Sequence, residues 1–438
     1  MARVRSRILL NVFLNGRLVG RLQKDRSGAI DFSYDDSWLR WEHTFPLSLS
    51  LPLREDRYVG DRVSAVLENL LPDNLEIRRQ VAERVGSDGN DAFSLLNAIG
   101  RDCVGALQFM PEGVDPGPPG AISGEPLTDD RVEVILNNLG RTPLGVSAED
   151  EEFRISIAGA QEKTALLFWR RKWHLPHGSA ATTHIFKPPI GILRNGIDLS
   201  RSVENEHLCM QLTAALGLPT AQTSIETFGT TRSLVVKRFD RQWTRDKRLL
   251  RLPQEDLCQA LSIPPSRKYE SEGGPGIRDV LQFLKASDDP NADRRLFLKA
   301  QIVFWLLGAT DGHAKNFSIF LHPGGGFRLT PLYDVMSLQP AYTAKQVKRN
   351  RMKLAMAVGD QRHYVLDTIA PRHFIQSAKS AGMPASVVED IFRELVDAGP
   401  RALESVDEKA PTGFPSQIKR AVFSGLKDRL KLLEAEGA

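Results

Sequence analysis

Two acidic residues and an asparagine stand close together in this sequence and are suited to chemistry. The sequence D-G-H-A-K-N begins at Asp311 and ends at Asn316, and Asp334 follows after a glycine-rich turn. A carboxylate within hydrogen-bond reach of a hydroxyl can take its proton. Carboxylate and amide oxygens are ligands that Mg²⁺ accepts beside phosphate oxygens. The pattern predicts phosphoryl transfer, with Asp311 as the base and with Asn316 and Asp334 as metal ligands.

The elements around these residues favour that interpretation. Protein kinases have an Asp, an Asn five positions later, and a metal-binding Asp beyond a short hairpin. Here the apolar run 302–307 predicts a buried helix, and segments 317–321 and 327–329 predict a hairpin. An Asp and an Asn in a loop are alone more typical of an ordinary turn. The helix before them and the hairpin after them indicate a site.

Two further segments could bind phosphate. Ala158, Gly159 and Ala160 form a loop of small residues in which backbone N–H groups could approach a phosphate. The spacing is not that of a Walker A loop, so a plain turn remains the alternative, and Ser156 is by default an ordinary strand serine. The predicted strand 183–188 ends at Lys187, which could face the phosphates or lie in solvent.

The next elements follow the order of a small kinase lobe. A predicted helix over 202–217 carries Glu204 and Glu206, either of which could pair with Lys187 or simply complement the helix dipole. Two predicted strands follow, over 223–228 and 233–236. The second leads into residues 237–239, where a crossing between lobes could offer backbone groups to an adenine edge.

The chain as a whole predicts an α+β protein with several parts. Residues 1–110 predict an N-terminal α+β subdomain, in which 46–52 alternate Leu and Ser and predict a strand. Residues 111–127 are rich in Pro and Gly and predict a linker. We expect a nucleotide-binding lobe over 128–250 and a mostly helical lobe over 251–438. Within the second, 255–261 predict a helix and 264–276 a loop.

The amino-acid composition excludes several classes of protein. Apolar residues make up 41% of the chain and charged residues 26%, as in soluble globular proteins. Three scattered cysteines argue against a disulfide framework or a zinc site. No run approaches the roughly 20 apolar residues of a membrane span. We expect a cytoplasmic protein without a membrane partner.

Taken together, the motifs resemble the HipA family of bacterial toxin serine/threonine kinases. The resemblance covers nearly the whole chain, with its blocks in the same order. The blocks that carry it are S-I-A-G-A-Q-E-K-T from Ser156, F-K-P around Lys187, E-N-E from Glu204, K-R-F-D-R from Lys237, G-A-T-D-G-H-A-K-N from Gly308, P-L-Y-D ending at Asp334, and N-L-L-P-D from Asn69.

The resemblance implies a bilobal protein-kinase-like fold with an extra N-terminal subdomain, and it implies roles for the residues. Asp311 is the implied general base, Asn316 and Asp334 hold the implied Mg²⁺, and Ser156 is the implied site of self-inactivating phosphorylation. The residues implied to bind ATP are Ala158, Gly159, Ala160, Gln161, Glu162, Lys163, Lys187, Lys237, Arg238, Phe239, His313, Asn316, Tyr333 and Asp334.

The resemblance also implies partners. They are a helix-turn-helix antitoxin, operator DNA bound through that antitoxin, and a protein substrate of the aminoacyl-tRNA synthetase class. Lys237 stands where the resemblance leads us to expect an acid, which bears on specificity more than on activity. Two alternatives stay open: a lipid or small-molecule kinase, and a non-catalytic co-repressor whose basic segment 341–353 touches DNA. A hydrolase using Ser156 and Lys163 has no oxyanion hole or nucleophile elbow in the sequence.

Overall fold

The N-terminal subdomain is a sheet covered by short helices. A computed structural model describes residues 8–139, 156–159 and 161–437. The sheet contains β1 (Ile8–Leu14), β2 (Arg17–Lys24), β3 (Ile30–Tyr34), β4 (Tyr58–Val59) and β5 (Leu107–Pro111), and its helices are α1 (Asp36–Leu39), α2 (Asp61–Glu68), α3 (Leu75–Arg84) and α4 (Ala92–Ile99). The strand order is β4-β3-β2-β1-β5. Asn15 and Gly16 have φ of 46° and 80°, as a two-residue hairpin turn requires.

The strand predicted over 46–52 is wrong. The segment forms turns, because its N–H groups donate to side chains or within the segment instead of to a neighbouring strand. Leu47 N–H donates to the Tyr34 hydroxyl at 2.8 Å, and Leu49 N–H donates to Glu255 Oε1 at 2.8 Å. The alternation of Leu and Ser thus fits a buried turn that packs on the rest of the protein.

A second sheet forms the small lobe. Its elements and the hairpin beside it are β6 (Gly124–Pro126), α5 (Asp129–Asn138), β7 (Thr164–Trp169), β8 (Lys172–Pro176), β9 (His184–Lys187), β10 (Gly191–Ile192), β11 (Asp198–Leu199), α6 (Ser202–Ala215), β12 (Thr223–Phe228) and β13 (Thr231–Lys237). The order is β12-β13-β9-β7-β8-β6. Strand β6 lies inside the segment predicted as a linker and pairs antiparallel with β8. The described residues 156–158 form no strand.

The large lobe is mostly helical. Its elements are β14 (Arg241–Trp243), β15 (Leu249–Arg251), β16 (Gln254–Asp256), α7 (Leu257–Ala260), α8 (Ile277–Phe283), α9 (Pro290–Leu307), β17 (Ser318–Leu321), β18 (Phe327–Leu329), α10 (Gln339–Thr343), β19 (Lys353–Val358), β20 (His363–Val365), α11 (Pro371–Ser380), α12 (Ala385–Glu408) and α13 (Ser416–Gly437). The predicted hairpin is confirmed as β17 and β18. The helix predicted over 255–261 begins later, because β16 pairs with β17.

The subdomain and the large lobe share one hydrophobic core. Buried side chains such as Leu10, Phe93 and Leu208 belong to the same cluster as Trp305 and Leu426. A separate cluster packs α5 against the sheet of the small lobe. The three cysteines are buried free thiols. Within the described ranges, no helix is both long enough and apolar enough to cross a bilayer.

Candidate active site

The predicted site residues line one cleft where the small lobe, the large lobe and the N-terminal subdomain meet. The cavity has a volume of about 550 Å³, within the range of roughly 300–1,000 Å³ that is common for small-molecule sites. The predicted residues that line it are Ala158, Gly159, Gln161, Glu162, Lys163, Lys187, Lys237, Arg238, Phe239, Asp311, His313, Asn316, Tyr333 and Asp334. Ala160 lies outside the described residues, and Ser156 lies behind the cavity wall.

Residues 311–316, the catalytic loop, are positioned by the end of α9. Gly308 ends the helix with φ of 65°, and the Ala309 N–H donates to Phe304 O at 2.8 Å. The loop is then closed across itself, because Asn316 Nδ2 donates to Asp311 O at 2.6 Å. In the described part of the chain, Asn316 Oδ1 accepts no hydrogen bond and so remains available to a ligand.

The Asp311 carboxylate is held by its neighbours yet accessible. The Tyr269 hydroxyl donates to Asp311 Oδ1, and the carboxylate is more than half exposed. Reduced solvation raises the pKa of Asp311, while the Tyr269 hydroxyl acts to lower it. A raised pKa strengthens a carboxylate as a base.

His313 is a neutral, buried residue within this loop. Burial lowers the pKa of His313 to about 3. Its Nδ1 is buried and has no hydrogen-bond partner among the described residues, and its ring packs edge-on against Tyr269 with centroids 4.8 Å apart. An unpartnered ring nitrogen beside the cavity can serve a bound ligand.

Asp334 is brought to the catalytic loop by a strand-like contact between the lobes. Leu332 N–H donates to Pro219 O at 2.8 Å, and Ala221 N–H donates to Leu332 O at 2.8 Å. Asp334 itself has φ of 60°, a strained conformation for a residue with a Cβ atom. Such strain is common at functional sites, where the surroundings enforce it.

Lys187 joins the small lobe to Asp334. Its Nζ lies 2.7 Å from Glu206 Oε1 and 2.7 Å from Asp334 Oδ1. Of the two candidate glutamates, Glu206 is therefore the partner of the strand lysine. Glu204 instead pairs with Arg232 at 2.8 Å.

Charge and burial shift the pKa values of Lys187, Asp334 and Glu206 in opposite directions. Burial lowers the pKa of Lys187, but the carboxylates of Asp334 and Glu206 outweigh it and raise that pKa. Burial raises the pKa of Asp334, yet Lys187 and Lys163 hold it below its ordinary value. For Glu206 burial prevails, and its pKa is raised. Lys187 and Asp334 are both charged at neutral pH.

Residues 158–163 are here called the nucleotide loop, and the described part of this loop, 158–159 and 161–163, contains a second lysine, Lys163, that lines the cavity. Gly159 has φ of 111°, a conformation that residues with a side chain rarely adopt, so the backbone at this position requires glycine. Burial and the nearby Lys187 lower the pKa of Lys163 to about 8. Gln161 Nε2 donates to Pro188 O at 3.1 Å and ties the loop to the end of β9.

Ser156, the implied modification site, precedes this loop and is buried. Its Oγ donates to Leu70 O at 2.7 Å, and its N–H donates to Asp102 O at 3.0 Å. Both acceptors belong to the N-terminal subdomain. In this conformation no phosphate donor can reach the hydroxyl.

Residues 237–239, the hinge, present one free backbone donor. Lys237 N–H donates to Gln222 O at 2.9 Å and Arg238 N–H donates to Thr183 O at 2.9 Å. Phe239 N–H donates to no group in the described part of the chain. The Phe239 ring lies 5.8 Å from the Tyr333 ring, so two aromatic side chains border this end of the cleft.

The Arg238 side chain points away from the cleft into a network of buried ions. Its Nη2 lies 2.7 Å from Asp240 Oδ2. Asp102 binds Arg241 at 2.9 Å and Arg251 at 2.8 Å. These five residues are here called the arginine network. Arg238 can therefore serve a nucleotide only through its backbone.

Sequence reasoning missed residues that the chain brings in from a distance. Asp73 of the subdomain lies between Lys268 and Lys315, with Nζ–carboxylate distances of 2.7 and 2.6 Å. Tyr269 comes from the loop predicted over 264–276. The motif N-L-L-P-D that ends at Asp73 was the available signal, but nothing local said what it contacts.

The arrangement has the parts for phosphoryl transfer. It combines an accessible carboxylate that could act as a base, a carboxylate and an amide oxygen that could bind a metal, two lysines that could bind phosphate, and a glycine loop. The residues that form these parts lie on separate elements and converge on one cavity.

Comparison with known families covers both halves of the chain. The model described as the HipA-like C-terminal domain matches residues 155–403, and that of the HipA N-terminal domain matches residues 10–110. The protein Y4mE of Sinorhizobium fredii is 36% identical over 404 residues, covering 91% of this chain and 92% of that protein.

A toxin kinase and its solved complex are also similar to this chain. The serine/threonine-protein kinase toxin HipA of Shewanella oneidensis is 29% identical over 416 residues, covering 91% of this chain and 89% of that protein. The solved complex of Shewanella oneidensis HipA, HipB and operator DNA matches with a TM-score of 0.80 and 25% identity, over 98% of this chain and 99% of that chain. This likeness confirms the predicted fold class, a kinase-like α+β fold with an N-terminal subdomain.

Proposed function

The chain belongs to the HipA family, and we propose that it is a toxin kinase that transfers the γ-phosphate of ATP to a serine or threonine of a protein. One observation carries the proposal. Asp311, Asn316 and Asp334 line one cavity with Lys187, and Lys187 is paired with Glu206. Kinases need this set together to bind a nucleotide and activate a hydroxyl.

The residues at the phosphate end fit a magnesium ion. Asn316 Oδ1 accepts no hydrogen bond in the described part of the chain, and the Asp334 carboxylate lines the same cavity. No cluster of three or more His, Cys, Asp or Glu side chains suited to a metal occurs among the described residues. Mg²⁺ accepts such a sparse set, because it keeps waters and takes phosphate oxygens as further ligands. When bound, the ion would neutralise phosphate charge.

Lysines and backbone groups place the nucleotide in this proposal. Lys187 and Lys163 carry positive charge toward the phosphates, and the nucleotide loop covers them. Phe239 N–H donates to the adenine edge, while the base lies beside the rings of Phe239 and Tyr333. Because a backbone donor reads the base, the unexpected Lys237 is compatible with ATP.

Asp311 then activates the acceptor. The Tyr269 hydroxyl fixes one carboxylate oxygen, and the exposed remainder can accept the proton of an incoming hydroxyl. That proton moves to Asp311 as the hydroxyl oxygen bonds to phosphorus and the bond to the leaving ADP oxygen breaks. Lys187 stabilises the charge that spreads over the phosphoryl oxygens, and a magnesium ion held by Asn316 and Asp334 would supply further positive charge there.

The test compares variants with radiolabelled ATP and a proteome extract as acceptor. Asp311→Asn and Asp334→Asn each lower label transfer by about 10²–10⁴-fold, since a positioned base or metal ligand is lost. The matched control Asp56→Asn changes an exposed aspartate away from the cleft and keeps full transfer. Unchanged transfer in both cleft variants would refute the kinase proposal.

Ser156 is the proposed site of self-inactivation. A phosphoserine carries about −1.5 to −2 charges at pH 7 and cannot stay in the buried place of a neutral hydroxyl. Phosphorylation would therefore force the segment before the nucleotide loop away from Leu70 and Asp102. Mass spectrometry of the same reactions detects the modified peptide, which the Asp311→Asn reaction lacks.

The partners follow from the family. We infer a helix-turn-helix antitoxin, with operator DNA bound through the complex, because the similar Shewanella oneidensis HipA is solved with HipB and operator DNA. An aminoacyl-tRNA synthetase is the proposed substrate class. Phosphoproteomics after brief expression of the wild-type chain and of Asp311→Asn identifies the substrate.

A co-repressor role is compatible with the kinase and has its own support. Lys345, Lys348, Arg349, Arg351 and Lys353 are all exposed on one basic segment. Exposed basic side chains can neutralise DNA phosphates. Operator binding in the presence of the antitoxin should survive in Asp311→Asn, and its loss there would tie repression to the catalytic cleft.

A further inference from the structure

Residues 69–73, here called the brace, connect α2 to α3 in the N-terminal subdomain and run beside the nucleotide loop. Asp73 N–H donates to Gly159 O at 3.1 Å, and Pro72 and Gly159 form a parallel bridge. At the other end, Leu70 O accepts the Ser156 hydroxyl at 2.7 Å. The loop that covers the phosphates is thus attached to the subdomain by its backbone.

The same five residues also hold the catalytic loop. Asp73 Oδ1 lies 2.6 Å from Lys315 Nζ, and the same Nζ lies 3.4 Å from Asn69 O. Asp73 Oδ2 lies 2.7 Å from Lys268 Nζ, and Lys268 precedes Tyr269, which binds Asp311. One carboxylate therefore reaches two segments that shape the base.

The side chain of Asn69 anchors the brace itself. Its Nδ2 donates to Ala65 O at 2.8 Å within α2 and to Ile263 O at 2.8 Å in the large lobe. The brace is consequently fixed at its start, and Asp73 at its end has little freedom to move.

The ion pairs at Asp73 are shielded from water. The Asp73 side chain is 12% exposed and that of Lys315 is 4% exposed. Burial acts to raise the pKa of Asp73, but Lys315 and Lys268 hold it below its ordinary value. Removing one partner of such a group leaves a buried charge unpaired, so the geometry is strongly enforced.

We propose that the brace couples the nucleotide loop to the catalytic loop, and that Asp73 is a positioning residue of the phosphotransfer site contributed by the N-terminal subdomain. Only the activity measurement that tests this proposal rests on the proposed kinase function. The subdomain is thereby part of the active site as well as a packing partner. The Asp73 N–H contacts Gly159 in the nucleotide loop, and the Asp73 carboxylate contacts Lys315 in the catalytic loop.

The first test measures hydrogen–deuterium exchange of the full chain, with and without a non-hydrolysable ATP analogue. Asp73→Asn should increase exchange at residues 158–163 and at residues 311–316 together. The matched control is Asp31→Asn, because Asp31 pairs with Arg57 at 3.3 Å on the same subdomain away from the cleft. Unchanged exchange at either loop in Asp73→Asn overturns the coupling.

The second test measures phosphotransfer by the same proteins. A small misplacement of reacting groups costs about 10²-fold in rate, so Asp73→Asn should lower kcat/KM by that order and raise KM for ATP. A purely structural defect would reduce the active fraction and leave KM unchanged, and that result would overturn the positioning role. If the wild-type chain itself transfers no phosphate, the kinase proposal fails while the exchange experiment still decides the coupling.

A conservative variant keeps the proposal testable if Asp73→Asn unfolds. Asp73→Glu retains the carboxylate but shifts it by one methylene. It should fold, keep the Lys315 pair and show a smaller loss of protection confined to the two loops. Equal protection of both loops in Asp73→Glu and wild type, with equal KM, overturns the proposal.

Discussion

Two groups of buried charge lie on either side of the hinge, and they differ in how completely they are paired. The arginine network is closed. The two Asp102 oxygens bind Arg238, Arg241 and Arg251. They also accept the Thr182 N–H at 3.0 Å and the Thr182 hydroxyl at 2.8 Å, and Asp240 accepts Gly105 N–H at 2.7 Å. Apart from Arg241 Nε, the fully buried side-chain N and O atoms of its five described residues all have hydrogen-bond partners.

The group around Lys187 is open. Lys187 bridges two carboxylates at 2.7 Å, but Asp334, Lys163 and Asn316 face the cavity. Buried charge needs compensation, and a closed network supplies it permanently. An open group leaves part of its compensation to a ligand. The closed network joins the subdomain to the hinge, whereas the charges of the open group face a cavity.

The largest effect is expected on stability, when a substitution breaks the closed arginine network. Asp102→Asn removes the anion shared by Arg241 and Arg251, and loss of one partner from a buried ion pair costs about 3–5 kcal/mol of stability. Denaturant unfolding should show that loss. The control Asp246→Asn removes an exposed pair with Arg248 at 2.7 Å and should leave the unfolding midpoint unchanged. Equal midpoints for Asp102→Asn and wild type would mean that the network contributes nothing to the fold.

An intermediate effect is expected on kcat, when a substitution changes the open group around Lys187. Glu206→Gln keeps the shape of the side chain but frees Lys187 from one anchor, and kcat should fall by about 10²-fold. Stability should hold or rise slightly, because burial raises the pKa of Glu206 and so disfavours its ionised form in the folded protein. Phosphotransfer and unfolding are measured on one preparation. A large loss of stability with normal kcat would mean that the Lys187 group stabilises the fold and does not serve catalysis.

The smallest expected effect is a pH dependence of nucleotide affinity that arises from the open group. The pKa of Lys163 is lowered to about 8, so its positive charge is lost as pH rises through that value. Affinity for the ATP analogue should therefore fall by about tenfold between pH 7.5 and 9.5, or about 1.4 kcal/mol. Calorimetric titration in buffers of matched ionic strength measures it.

The Lys163 variants decide what causes that slope. Lys163→Arg stays charged over this range and should bind with a flat profile at high affinity. Lys163→Met has no charge to lose and should bind weakly with a flat profile. A wild-type slope that persists in Lys163→Met would assign the titration to another group.

The sequence predicted the parts of the site that depend on local spacing. Asp311, Asn316 and Asp334 were found because a loop between a helix and a hairpin fixes where each falls along the chain. Lys187 and Glu206 could be named as candidates, but the choice of Glu206 over Glu204 depends on how α6 is rotated against the sheet. Spacing along one helix cannot set that rotation.

The parts that failed depend on contacts between distant residues. Residues 46–52 look like a strand, yet Glu255 takes the N–H of Leu49 across more than two hundred residues. The role of Asp73 likewise appears only when Lys315 folds against it. Residues 255 and 256, predicted as the start of a helix, belong to β16 because they pair with β17.

The placement of β6 has a practical consequence for producing the protein in pieces. A shortened chain that starts at Thr128 would uncover the outer edge of β8, and open sheet edges promote aggregation. Starting ahead of Gly124 would keep that edge covered but would remove Asp102, leaving Arg241 and Arg251 without their anion. Neither cut keeps both the covered sheet edge and the arginine network, so the regions that match the N-terminal and C-terminal domain models should be purified and assayed as one polypeptide.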